Sequence, residues 1–197
     1  MLEEVKLFCH SSIKLCGSKT IYIDPYNIEE ESHDADFILC THTHYDHYSP
    51  EDIEKIKKKS TVIIAPADIE GIIKVVPNVQ YEIEGLKFKT TYAYNKDKDF
   101  HPKTNNWVGY IVELDGKNYY IAGDTDNVPE LQDIKCDVAF VPIGGTYTMN
   151  KEEAVVLCKS IEAKIFVPTH YGLIVGEKTD GVDFKSMLKN KQVEVLI

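Results

Sequence analysis

At 197 residues the chain has the length of one domain, and its 43% of hydrophobic residues suffice to bury a core without disulfides. Charged residues make up 27%, an ordinary globular share that excludes a disordered or membrane-embedded chain. The formal net charge of −10 works against general affinity for nucleic acid, which needs clustered lysine and arginine to displace counterions from phosphates. Residues 1–197 are therefore read as a single domain. The stretch Met1-Leu2-Glu3-Glu4-Val5-Lys6 is acidic and lacks the long apolar run of a signal peptide, so a cytoplasmic protein is expected. The five cysteines, Cys9, Cys16, Cys40, Cys136 and Cys158, are odd in number and lack metal-finger spacing, which predicts reduced, mostly buried thiols.

The first half reads as strands at Val5 to Phe8, Ile13 to Leu15, Ile21 to Ile23 and the apolar run Phe37-Ile38-Leu39-Cys40. Ser49-Pro50-Glu51-Asp52 supplies a cap, a proline at the first helical position and acids in the first turn, predicting a helix to about Lys59. The basic run Lys55 to Lys59 then sits at the negative end of the helix dipole as a solvated helix end. Next come a strand at Thr61 to Ala65, a helix at Ala67 to Val75, and two strands within Val79 to Tyr94 turning at Glu84-Gly85. A polar loop, Asn95 to Asn106, precedes Trp107 to Leu114 and Lys117 to Ala122, which the Asp115-Gly116 pair joins as a tight hairpin. Helix and strand then alternate: Val128 to Ile134 helical, Asp137 to Pro142 extended, Lys151 to Ile161 helical, Lys164 to Val167 extended. A helix at Asp183 to Lys189 and a strand at Val193 to Ile197 finish the chain. Two sheets packed face to face with helices outside accommodate this order.

The loop between the fourth strand and the first helix carries His42, His44, Asp46 and His47, three imidazoles and a carboxylate within six residues. That donor set suits Zn²⁺, Mn²⁺ or Fe, and it exceeds what one tetrahedral ion takes from so short a stretch, so two neighbouring divalent ions are the economical reading. His101, Asp124 and His170 follow at strand ends or in loops and extend the pattern. Only His10 and His33 of the seven histidines then lie outside it. Cys40 precedes the cluster, but the nitrogen and oxygen set makes a thiolate ligand unnecessary, and a buried small side chain is expected.

These residues resemble the metallo-β-lactamase superfamily, whose His-x-His-x-Asp-His motif matches His42 to His47, with His101, Asp124 of Gly-Asp-Thr and His170 of Pro-Thr-His-Tyr-Gly following in order. Ala122-Gly123-Asp124-Thr125 and Val141-Pro142-Ile143-Gly144-Gly145 are similar to the branch related to L-ascorbate-6-phosphate lactonase. In that branch the loop from Tyr94 to Pro102 is usually shorter, and Asn95 stands where a histidine would be sought. The resemblance implies an α/β (α+β) four-layer αββα sandwich and a dinuclear site. It places His42, His44 and His101 on one ion, Asp46, His47 and His170 on the other, and Asp124 between them.

The implied function is a metal-dependent hydrolase that cleaves a small ester, lactone or phosphodiester with a metal-bound hydroxide, Asp46 moving a proton during turnover. Zinc is the first expectation, with Mn or Fe as alternatives. The expected partner is a small-molecule substrate, not nucleic acid or a membrane. A nuclease of the same superfamily and a metal-binding regulator without turnover are the competing readings. Outside the ligand set, His10-Ser11-Ser12 is given a supporting or packing role, Asp24-Pro25 reads as a strand terminus, and Asp126 as an outer partner or helix cap. Gly144-Gly145 with Tyr147 reads as the mouth of the site or a plain turn, and Tyr45 and Tyr171 as pocket candidates.

Overall fold

A computed structural model describes residues 2–197 and resolves them into two compact units, one ending at Val75 and one running from Val76 to Ile197. In the first unit, β1 (Val5–Cys9), β2 (Ser12–Cys16) and β3 (Thr20–Ile23) pair antiparallel. The sheet then continues in parallel through β4 (Ala35–Leu39), β5 (Lys57–Ala65) and the two-residue β6 (Ile73–Lys74). Helix α1 (Pro50–Ile56) makes the crossover from β4 to β5. Ser49 caps it as expected, its hydroxyl accepting from Asp52 N at 3.2 Å, with Pro50 opening the first turn. Tyr22, Ile38 and Cys40 from the strands pack with Ile53 and Ile56 from the helix.

The helix ends three residues before Lys59, because Lys57 turns extended and pairs with Ala35 in the ladder. The basic run is thus mostly strand, and acids neutralise it: Lys57 meets Glu54, and Lys58 meets Asp36 at 2.6 Å. The predicted helix over Ala67 to Val75 is absent. Gly71 breaks it in the left-handed region at φ 80°, and Ile69 and Ile73 are exposed while Ala67, Ile72 and Val75 pack inward, a spacing that gives no continuous helical face.

The second unit repeats the progression. Strands β7 (Gln80–Ile83), β8 (Leu86–Tyr92), β9 (Val108–Leu114) and β10 (Lys117–Ile121) pair antiparallel, turning at Glu84-Gly85 and Asp115-Gly116 as predicted. Then β11 (Lys135–Pro142), β12 (Glu162–Thr169) and the short β13 (Gln192–Val193) join in parallel. The crossovers are α2 (Lys151–Ser160) and α3 (Asp180–Met187). A reciprocal cap starts α2: Asn150 Oδ1 accepts from Glu153 N at 2.8 Å, and Glu153 Oε2 accepts from Asn150 N at 2.9 Å. Ala154, Leu157 and Cys158 of α2 and Phe184 of α3 are buried against Tyr120, Ala139 and Val141. Val128 to Ile134 holds only the single 3-10 turn Pro129–Leu131, since Gln132 is extended and Asp133 left-handed. The last strand is shorter than expected.

The fold class is the expected α+β type, with two mixed sheets and three α-helices among the described residues. All five cysteines are free thiols, but only Cys40 and Cys158 are buried; Cys9 and Cys136 are half-buried and Cys16 is exposed at the end of β2, which corrects the expectation of mostly buried thiols. Among the described residues no helix is long and apolar enough to cross a membrane.

Candidate metal centre

In the first unit β4 is a central parallel strand, and its carboxyl end delivers Thr41 and the histidine loop, the position where parallel sheets place ligand sites. Asp24, one residue past β3, is fully buried and organises this loop. Its carboxylate accepts from Thr41 N at 2.7 Å, Thr41 Oγ1 at 2.8 Å and His47 Nδ1 at 2.8 Å. Burial pushes the Asp24 carboxyl up from the usual range, while His47 and the Thr41 bonds pull against that. The single Thr41 hydroxyl proton goes to Asp24, so Oγ1 accepts from His42 Nδ1 at 3.0 Å. Both His42 and His47 therefore carry their proton on Nδ1 and present Nε2 as the donor nitrogen.

These nitrogens face the rest of the motif. His42 Nε2 lies 3.1 Å from His44 Nδ1, and His47 Nε2 lies 3.7 Å from Asp46 Oδ2. His10, which is fully buried, brings Nε2 to 3.2 Å from the same Asp46 oxygen.

In the second unit three separate strand ends converge. Asp124 follows β10, His170 follows β12, and His101 lies in the loop between β8 and β9; all three are at most 3% exposed. Asp124 Oδ2 is 3.2 Å from His101 Nε2 and 3.0 Å from His170 Nε2. Asn95 orients His101, its Oδ1 accepting from His101 N at 3.1 Å and from Nδ1 at 2.9 Å. The amide oxygen only accepts, so His101 Nδ1 bears the proton and Nε2 is again the donor. Asn95 Nδ2 in turn donates to Asp126 Oδ1 at 3.1 Å and Tyr147 O at 2.9 Å, while Lys98 Nζ meets Asp126 Oδ1 at 2.6 Å. The indole of Trp107 stands edge-on to the His101 ring, with centroids 5.5 Å apart.

Asn95 fixes the tautomer of His101. Asp126 accepts from Asn95 and Lys98, and Lys96 N also donates to it at 2.9 Å. Gly144 is a matter of packing: a β-carbon there would lie 2.1 Å from the carbonyl oxygen of His170, so only glycine lets β11 end beside that turn. Tyr171 is a core residue, its hydroxyl donating to Ile197 O at 3.1 Å, while Tyr45 is 65% exposed with its ring 5.9 Å from that of Tyr26. Phe100, beside His101, is 47% exposed and meets the Tyr147 ring edge-on at 4.7 Å.

Backbone strain marks the same places. Ten described residues other than glycine have positive φ, and only His10, Asp24 and His170 among them are buried. The seven others are Asn, Asp, Glu or His in exposed turns, where left-handed backbone is common. A buried side chain in that region persists only when its surroundings hold it, and such residues gather at functional sites. Reading Asp24 as a strand terminus misses its role; a carboxylate directly after a buried strand was the available signal.

The donor atoms are imidazole nitrogens and carboxylate oxygens, the set that Zn²⁺, Mn²⁺ and Fe accept. Burial pushes the Cys40 thiol well up, which keeps it protonated and confirms it as packing. The residues present therefore fit divalent metal ions.

A family model described as a beta-lactamase superfamily domain matches residues 4–170. Proteins named UPF0173 metal-dependent hydrolase resemble the whole chain: one from Pyrococcus abyssi is 32% identical and one from Thermococcus onnurineus 31%, each alignment covering 100% of this chain and 96% of the relative. Among solved structures, a putative metal-dependent hydrolase from Parabacteroides distasonis is 29% identical with a TM-score of 0.84, covering 97% of this chain and 91% of the other. A metallo hydrolase from Ignicoccus hospitalis, 24% identical with a TM-score of 0.78 over 97% of this chain and 93% of that one, shares the fold.

Proposed function

Because this chain belongs to the metallo-β-lactamase superfamily and is a metal-dependent hydrolase, we propose that its two sets of donors act together as one dinuclear centre within a single domain, residues 1–197. One ion is held by His42, His44 and His101, the other by Asp46, His47 and His170, with Asp124 shared. The observation that carries this reading is the tautomer set by Asp24, Thr41 and Asn95, which turns Nε2 of His42, His47 and His101 into donor nitrogens. When bound, a pair of divalent ions supplies an acidified water and polarises a carbonyl or phosphoryl oxygen.

The chain's own residues do the rest. Asp24 and Asn95 hold the imidazoles in orientation, and Asp46 takes or returns a proton as a small ester, lactone or phosphodiester is cleaved. Zn²⁺ is the first candidate, with Mn²⁺ or Fe as alternatives, in a cytoplasmic enzyme acting on a small molecule rather than on nucleic acid.

The test is a panel of esters, lactones and phosphodiesters assayed with two equivalents of Zn²⁺ or Mn²⁺. Cleavage of at least one class is expected, with Asp124→Ala reducing it to background. Hydrolysis that survives both exhaustive chelation and His44→Ala would overturn the mechanism. Two bound ions with no cleavage across the panel would favour the regulatory reading.

A further inference from the structure

His10 is a histidine that the ligand set does not use. It occupies the two-residue turn between β1 and β2, its side chain fully buried and its backbone left-handed at φ 52°. The left-handed backbone is held there with the ring buried, as it is at Asp24 and His170. The ring lies edge-on to His47 with centroids 6.0 Å apart, and Nε2 stands in hydrogen-bond geometry to Asp46 Oδ2 at 3.2 Å. A carboxylate only accepts, so His10 Nε2 carries the proton. His10 also falls among the donors close enough to share an ion with Asp46 and His47, so direct ligation by its ring is the reading that the test must separate from a hydrogen-bonding role.

We propose that His10 is the positioning residue of the Asp46 carboxylate: its Nε2–H holds Oδ2 so that Asp46 meets the ion shared with His47. Ligating carboxylates are commonly held by such outer hydrogen bonds, and losing one typically weakens metal binding about 10- to 100-fold. The inference rests on the dinuclear reading above and adds a residue to it.

Calorimetric titration of the metal-free protein with Mn²⁺ and with Zn²⁺ tests it, alongside the Tm of each variant without metal. Wild type is expected to bind two ions. His10→Ala should weaken one of them about 10- to 100-fold and leave the other unchanged. His10→Gln, whose amide N–H reaches a similar point, should restore most of that loss while its metal-free Tm stays with wild type. Wild-type affinity for both ions in His10→Ala would overturn the positioning role and leave the dinuclear reading standing. A Gln variant as weak as Ala, with an unchanged metal-free Tm, would overturn it in favour of direct ligation by the ring. Fewer than two ions bound by wild type would sink the dinuclear reading and this inference together.

Discussion

The two units run the same course, antiparallel strands first and parallel strands after, yet they hold their candidate ligands differently. In the first, four of them share one six-residue loop, and a buried carboxylate, Asp24, clamps it through Thr41 and His47. In the second, His101, Asp124 and His170 come from three places in the chain, and the clamp on His101 is a neutral amide, Asn95, tied to the Asp126–Lys98 pair. A contiguous loop can be fixed by one charged group at its root. Dispersed ligands depend on the close approach of separate strands.

Breaking the first clamp should have the largest effect. Asp24→Ala leaves the buried His47 N–H and both Thr41 donors without their acceptor, and each buried donor left unsatisfied costs about 1–3 kcal/mol. Urea unfolding of the metal-free protein measures it, and a loss under 1 kcal/mol, on the order of an exposed pair, would remove Asp24 from its role.

Gly144→Ala attacks the dispersed set through the backbone. Relieving a contact 2.1 Å from the His170 carbonyl should cost about 1–3 kcal/mol, as overpacking does, and displace His170 from Asp124. Unchanged stability together with unchanged Mn²⁺ affinity would show that the turn yields freely.

Asn95→Ala should be milder in stability but specific in binding. Freed to change tautomer, His101 should lose about 10- to 100-fold in metal affinity. Asn95→Asp supplies the same acceptor and should recover part of it; equal affinities for wild type and Asn95→Ala would separate the amide from the site.

The smallest effect lies away from the ligands. Burial raises the Asp34 carboxyl, but Lys14 at 2.6 Å, with Ser32 and Tyr22, outweighs it and holds the group at about 2, below its ordinary 3.8. Because the folded value is depressed, the stabilisation is complete above pH 3.8 and disappears as pH falls through about 2. Asp34→Asn in metal-free protein should therefore lower stability at pH 6 by under about 1 kcal/mol, given the pair's exposure, and match wild type at pH 2. An equal gap at both pH values would refute the linkage.

The contrast between the units also explains what could be read from the chain alone. His42 to His47 announced themselves because their chemistry is packed into one segment. His101, Asp124 and His170 needed the family pattern to be joined to them, since spacings of 23 and 46 residues carry no local signal. The capping chemistry of Ser49-Pro50 and Asn150, and the Gly-containing hairpin turns, marked their elements because those signals are local. The predicted helices at Ala67 to Val75 and Val128 to Ile134 failed where a left-handed residue, Gly71 or Asp133, interrupts an apolar run. The roles of Asp24, Thr41 and Asn95 were hidden for another reason: each acts through a hydrogen bond to a histidine, and composition does not record direction.

The placement of Trp107 has a practical use. It is the chain's single tryptophan, and its indole lies against His101. Its emission therefore comes from one known spot beside a proposed ligand, with no label to introduce and no second fluorophore of its kind to subtract. Co²⁺ or Mn²⁺ arriving at the proposed centre should quench that emission, so the filling of the site can be followed in real time.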